Sequence, residues 1–311
     1  MKYQYLLIDG QNLFWRAFTL SIHKFITVDD HLICQYAVQK GFRLIEQLVQ
    51  TFGYNKSEVY ILFDNSESQL NIRKEIFEEY KSIRVKKHAP KGLYDSLKIF
   101  IHLLKYYSDY YFVGRVEGLE ADDLTYPILK SLELSKRVKA LVVSADLDWA
   151  RNIEENINWY NYREEYTLDI FKEKYKFSPE GKSIQLYKAI RGDKSDSIPN
   201  AVPHLPEKIL VDIVTTYKDD KDLFKQLWRS DYPTEWKQKI QEAEAQIRIN
   251  FQLTDFFEIQ NSFSDYIYKC KRSVSMLKFF YDMLDLPHET FMLNSESSEK
   301  DFFRKNNHLH R

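Results

Sequence analysis

Glycine is scarce in this chain: 8 residues in 311, where about 7% is usual. None of them falls into G-x-G-x-x-G, G-x-x-x-x-G-K-S/T or G-x-S-x-G, which argues against a dinucleotide fingerprint, a P-loop and a nucleophile elbow. Cysteine is scarcer still. Cys34 and Cys270 lie far apart and make no C-x-x-C, and the eight histidines make no H-E-x-x-H. A zinc site or a disulfide framework is therefore not expected. Long apolar runs are missing too, since none approaches the ~18 residues that a membrane span needs. The opening residues, Met1 to Asp9, read as a strand and not as a signal peptide. These absences leave a soluble protein of a reducing compartment, expected in the cytoplasm and without a membrane partner.

Apolar residues make up 44% of the chain and charged residues 29%, enough for a sizeable core under a well-solvated surface. The length suits one large domain or two modest ones. A formal net charge of -1 argues against a nucleic-acid partner only if the charge is spread evenly. It is not. Arg73, Lys74, Lys81, Arg84, Lys86, Lys87, Lys91 and Lys98 crowd one segment, while carboxylates gather at a few short spots elsewhere. A polyanion binder built around an acidic metal site would show this segregation.

The first half of the chain alternates apolar, strand-like runs with helical patterns. Tyr5–Ile8, Val59–Phe63, Tyr110–Val113 and Ala140–Val143 read as four strands. Helical stretches fall at Leu13–Leu20, Ile33–Phe52, Gln69–Tyr80, Leu93–Tyr107 and about Leu119–Leu134. Strands separated by such segments indicate parallel crossovers and a sheet covered on both faces. Beyond Phe171 the pattern is almost wholly helical, and the tail from Asn294 is polar.

The acids lie on this map in a particular way. Asp9 ends the first strand and Asp64 the second. Glu120, Asp122 and Asp123 open the helix after the third, and Asp146 and Asp148 follow the fourth. All are at the carboxyl edge of a parallel sheet, where open α/β sheets build their sites. Asp193 and Asp196 flank a turn in the helical region. Each spot has an ordinary explanation: acids in a first helical turn complement the macrodipole, Asp146 could be an N-cap, and Gly192-Asp193 could be turn chemistry. Chance does not usually load every strand end with acid, however. Two like charges ~4 Å apart repel by about 4 kcal/mol at an effective dielectric of 20, so such a cluster needs cations. All-oxygen ligands suit hard ions, magnesium or manganese in its place, and this many carboxylates suits two-metal phosphoryl transfer.

Asp9-Gly10-Gln11-Asn12-Leu13 with Arg16, Phe63-Asp64, Tyr80-Lys81 with Arg84, Glu120-Ala121-Asp122-Asp123, Ser144-Ala145-Asp146-Leu147-Asp148 and Gly192-Asp193-Lys194-Ser195-Asp196-Ser197-Ile198-Pro199 occur in one order. That order resembles the structure-specific 5′ nucleases: the flap endonucleases and the 5′-nuclease domain of bacterial DNA polymerase I. The likeness runs from Met1 to about Thr215 and is most like the stand-alone bacteriophage members, whose setting is the host-cell cytoplasm. It implies an α/β fold, a mainly parallel sheet with helices on both faces (a PIN-like core), spanning residues 1–170 with a helical arch at about 70–105. A helical DNA-binding region would follow at 171–293, with a helix-turn-helix-like element at about 183–217, then a polar tail at 294–311.

The same resemblance implies roles. Asp9, Asp64, Glu120, Asp122 and Asp146 would surround a first magnesium ion, with Asp123 close by and acting through water. Asp148, Asp193 and Asp196 would hold a second, with Asp146, counted among the catalytic groups, reaching between. Lys81 and Arg84 would contact the scissile phosphate from the base of the arch, where a lysine and an arginine fork complement the developing charge. Gly10 would let the backbone approach DNA. The basic segment, with Arg73, Lys74, Lys86 and Lys87, reads either as a solvated charged face or as a DNA contact. Its interleaved Phe77, Tyr80 and Tyr94 favour the contact, since they can stack on unpaired bases. After Pro199 the family runs through a hairpin with two glycines that grips duplex phosphates, often through potassium. Here His204 and Pro206 stand in their place, and the turn would either present Lys208 and His204 as side-chain contacts or leave duplex binding to a replication partner. The expectation is a monomeric, magnesium-dependent flap endonuclease and 5′-3′ exonuclease. It would act in replication and repair on flapped DNA and on RNA–DNA hybrids, alongside a sliding clamp or single-strand-binding protein. The alternatives are a non-catalytic DNA-structure binder of the same fold and a ribonuclease of the smaller related domains.

Overall fold

The computed structural model describes residues 2–24, 30–65, 72–82, 92–257 and 266–283. In chain order these form β1 (Tyr3–Asp9), α1 (Gly10–Lys24), α2 (Asp30–Phe52), β2 (Gly53–Leu62), α3 (Ile72–Ile76), α4 (Leu93–Leu104), β3 (Tyr111–Gly114), α5 (Thr125–Ser131), β4 (Ala140–Val143), β5 (Ile157–Tyr160) and β6 (Glu165–Tyr166). There follow α6 (Leu168–Tyr175), α7 (Ser183–Arg191), α8 (Glu207–Thr216), α9 (Asp220–Gln226), α10 (Thr234–Glu242), α11 (Glu244–Leu253), β7 (Ile267–Lys269) and α12 (Val274–Met283). One seven-stranded sheet has the order β6-β5-β4-β1-β2-β3-β7. The five central strands are parallel, and β6 and β7 close the edges antiparallel.

The period-two alternation of a strand explains how one sheet serves two cores. Leu6, Ile8, Val59, Ile61, Leu141 and Val143 point into one, against α1, α2 and α4. Leu7, Tyr60, Leu62, Ala140 and Val142 point into the other, against Trp149, Trp159, Phe171 and the helices from α7 onward. On α4, Leu93, Leu97, Phe100 and Leu104 recur at helical spacing and are all buried. The Phe100 ring sits 5.0 Å from those of Phe14 and Phe42, tying three helices together.

The four expected strands are present. Three more lie where the sequence pattern gave no strand. β5 and β6 are short, and β7 returns from beyond the helical region to pair with β3 through Phe112–Lys269, Val113–Tyr268 and Gly114–Ile267. Cys270, Leu277 and Tyr281 then enter the core of the first strands. Among the described residues beyond Phe171, β7 is the one strand in an otherwise helical stretch, and through it the sheet-bearing core extends past residues 1–170. Within the expected arch, α3 is a five-residue helix followed by turns to Ser82, and the segment 83–91 lies outside the described residues. No helix among the described residues is long and apolar enough to cross a membrane.

Candidate metal centre and active site

Parallel pairing fixes where the first acids meet. Register places Ile8 beside Val143 and Asp9 beside Leu62, so the residues just past these strand ends converge. Asp9 is 8% exposed. Its carboxylate accepts from the Asn12 amide at 2.8 Å and from the Ser144 hydroxyl at 2.6 Å. The first bond also caps α1. Asp64 accepts from the Ala121 amide at 2.9 Å. Burial, with the neighbouring charges of Asp64 and Asp146 added, pushes the Asp9 carboxyl up to about 7. Gly10 follows directly, and a Cβ there would lie 2.5 Å from the Phe63 ring. Packing against Phe63 therefore accounts for this glycine without any DNA.

The turns after α3 contribute Tyr80 and Lys81. Lys81 takes a left-handed backbone, φ 55°, uncommon for a residue with a side chain. Its amide donates to the Asp196 carbonyl at 2.8 Å and its ammonium lies 2.6 Å from Glu120 Oε2. The Tyr80 hydroxyl donates to Glu120 Oε2 at 3.2 Å and lies 3.5 Å from Asp196 Oδ2, so it links the two acid groups. Tyr80 is 2% exposed, and burial beside Glu120 and Asp196 drives its phenol well above the usual value.

The second acid group is assembled by the turn after β4, by α7 and by the turn after α7. Asp146 N-caps the 3-10 turn, accepting from the Asp148 amide at 3.0 Å. Gly192 ends α7 at φ 75°, and a Cβ there would meet the Asn200 nitrogen and the Pro199 carbonyl carbon, both at 2.6 Å. The tight return this permits is closed by paired Asp193–Ile198 backbone bonds. Carboxylate oxygens of Asp148, Asp193 and Asp196 lie within 4.8 Å of one another. Among the described residues, Asp9, Asp64, Glu120, Asp122 and Asp146 do not gather three at that spacing. The chemistry of the donors fits hard divalent cations: all are oxygens, and Asp148 Oδ1 is buried with no hydrogen-bond partner.

Several cations are built into the site. Lys188 on α7 is 5% exposed. Its ammonium lies 2.8 Å from both Asp148 and Asp193 and 3.6 Å from Asp146. Burial works to raise both carboxyls, but Lys188 wins: Asp193 is held at about 2, and Asp148, near Arg151 as well, also lies below the usual range. Sequence reasoning missed Lys188 and Arg151. The one signal for Lys188 was a lysine on the apolar face of α7, beside the buried Ile184 and Ala189.

Three expected roles change with burial. Arg73 is not a surface contact: it is 2% exposed and forks onto Asp123, with both bonds at 2.8 Å. Asp123 is fully buried, and its oxygens also accept from the Glu120 and Phe257 amides at 2.9 and 3.1 Å. With every acceptor filled by the protein, Asp123 is an anchor for the turn and not a ligand. Tyr80 is too buried to stack on a base. Asp122, 8% exposed, pairs with Arg151 at 2.9 Å. Lys74 and Lys208 are exposed. Arg84, Lys86 and Lys87 lie outside the described residues.

A family model of the 5′-3′ exonuclease N-terminal, resolvase-like domain matches residues 4–176. A curated 5′-3′ exonuclease of Buchnera aphidicola subsp. Acyrthosiphon pisum (strain APS) is 26% identical over 194 residues, 60% of this chain. The match spans 63% of that relative's length. The T5 5′-exonuclease with bound divalent zinc ions superposes with a TM-score of 0.63 at 21% identity, over 90% of this chain and 97% of that one. The bacteriophage T5 flap endonuclease, in a pseudo-enzyme-product complex with DNA and metal ions, gives 0.61 at 21% identity, over 81% and 89%.

Proposed function

Because the chain belongs to the 5′-3′ exonuclease family, as the family model covering more than half of it shows, we propose that it is a divalent-metal-dependent 5′ nuclease. It would cut flapped DNA and trim 5′ ends, leaving 5′-phosphate products, and would remove RNA from RNA–DNA hybrids during replication and repair. The observation that carries this reading is the sheet edge itself, where carboxylates from five separate chain segments converge with Lys81 and Lys188 among them. The residues that would hold cations are Asp9, Asp64, Glu120, Asp122 and Asp146 on one side and Asp148, Asp193 and Asp196 on the other. Magnesium, or manganese in its place, would supply Lewis acidity at the phosphate and activation of water when bound.

The chain's own groups do the remaining work. Lys81 stands at the arch base with its ammonium on Glu120. A phosphate entering there would compete for that ammonium, bringing a donor to the charge that develops on the phosphoryl oxygens. Arg84, three residues on, would supply a second, forked donor. Exposed Lys74 and Lys208 would contact duplex backbone, with the 183–217 element as its platform. The test is a product map on an end-labelled flap, a nicked duplex and an RNA–DNA hybrid in magnesium. Cleavage near the flap junction with 5′-phosphate ends is expected, and an intact flap at enzyme excess would contradict the reading.

A further inference from the structure

Arg151 has no part in the function proposed above, yet its guanidinium bridges the two acid groups, from the Asp122 carboxylate to the Asp148 backbone carbonyl. Its side chain is 4% exposed. Nη2 donates to Asp122 Oδ2 at 2.9 Å, Nε to the Asp148 carbonyl at 3.1 Å, and Nη1 to the Thr254 carbonyl. The Phe256 ring covers it at 3.7 Å. Arg73 repeats the arrangement one residue along. It holds Asp123, donates to the Leu253 and Asp255 carbonyls at 2.9 and 3.0 Å, and lies 4.7 Å from the Phe257 ring. Three consecutive carbonyls at the end of α11 and the two consecutive rings that follow thus alternate between two guanidiniums, which hold two consecutive aspartates.

We propose that Arg151 is a positioning residue that sets Asp122 and the Asp146–Asp148 turn at a fixed separation, using the segment 253–257 as its abutment. The inference rests on the functional reading above. A planar fork with five donors can satisfy a carboxylate and two carbonyls at once, which an ammonium on a flexible stem cannot do in one geometry. The same group places a buried positive charge beside carboxylates that would take a divalent cation, and like charges oppose one another in that setting. Arg151 therefore weakens cation binding while it aligns the acids. The two effects have opposite signs on affinity and rate, which makes them separable.

The experiment measures magnesium binding by calorimetry on full-length protein without DNA, together with single-turnover cleavage at saturating magnesium and flap affinity in calcium. For Arg151→Gln, magnesium should bind about threefold tighter or more, because a repelling charge has gone. Cleavage should fall by about tenfold to a hundredfold, the usual cost of small misplacement. Flap affinity should stay within about twofold, since no phosphate contact is lost. Arg151→Lys keeps the charge and loses the fork, so magnesium affinity should match wild type while the rate still falls. A merely structural residue would lower the melting temperature without tightening magnesium. If Arg151→Gln does not fold, Arg151→Lys decides: a wild-type rate overturns the proposal and a slow, normally binding variant supports it. Unchanged or weaker magnesium binding in Arg151→Gln, or an unchanged rate, overturns it. Wild-type protein that neither binds magnesium nor cuts would overturn the functional reading along with it. Normal wild type beside an indifferent Arg151→Gln overturns this inference alone.

Discussion

A buried carboxylate whose pKa rises is a measurable weakness in the metal-free protein. Asp9 in the folded chain titrates at about 7, against 3.8 when exposed, because burial and the Asp64 and Asp146 charges penalise its ionised form. Between those values the folded state holds a proton that the unfolded state has released, so stability falls as pH rises through the window. The full cost is present above pH 7 and none of it below 3.8. Asp9→Asn removes the charge, so in EDTA at pH 8 this variant should melt higher than wild type, with a gain of up to about 4 kcal/mol. The gain should shrink towards pH 4. Melting curves of both proteins across that range check it, and equal curves at pH 8 would show that Asp9 is not under this strain. The acids themselves were legible in the sequence, because they follow strand ends, open a helix or flank the Gly192 turn. Their cations were not. Lys188 and Arg151 sit in unremarkable helical text and Arg73 reads as part of a surface-charged segment, and only the folded chain brings them within 3 Å of carboxylates from other elements.

The turn between α7 and α8 places a left-handed residue two positions before a proline. His204 holds a left-handed backbone, φ 62°, in a place where the resemblance expects glycine. Pro206 precedes α8 at φ -58° and has no amide hydrogen to offer. The left-handed bend is thus made by a histidine, and Pro206 offers no backbone donor. Affinity for duplex DNA, with calcium replacing magnesium, should be the same in potassium and sodium at equal ionic strength. It should still fall as total salt rises. A potassium-specific gain would mean that the remaining carbonyls of this turn suffice. Other elements divide along the same line. Four strands were readable as apolar runs, and α4 as an i, i+4, i+7 stripe. The two-residue β6 and three-residue β7 were not. Pairing with β5 and β3 defines these short edge strands, and nothing in their own residues does.

At the scale of the whole molecule, the return of β7 and α12 to the first core means that the helical region is inserted into the nuclease fold and not appended to it. Leu277 and Tyr281 pack in the same cluster as Tyr3 and Phe42, and the segment after α11 reaches Asp123 through the Phe257 amide. Parallel strands with carboxylates at their ends point to the carboxyl edge of the sheet as the candidate site. The way the C-terminal part buttresses it depends on contacts between residues more than 100 positions apart, such as Arg73 with Leu253, and sequence periodicity carries no such information. The central claim is that these acids act by holding cations, and Asp146, between the two groups, tests it most directly. A 5′-flap substrate is given to wild type and to Asp146→Ala in magnesium, in EDTA and in calcium. Wild type should cut in magnesium and not in EDTA. Asp146→Ala should be inert in magnesium while binding the flap in calcium as tightly as wild type does. Cleavage by wild type in EDTA, or near-normal turnover by Asp146→Ala in magnesium, would contradict that claim.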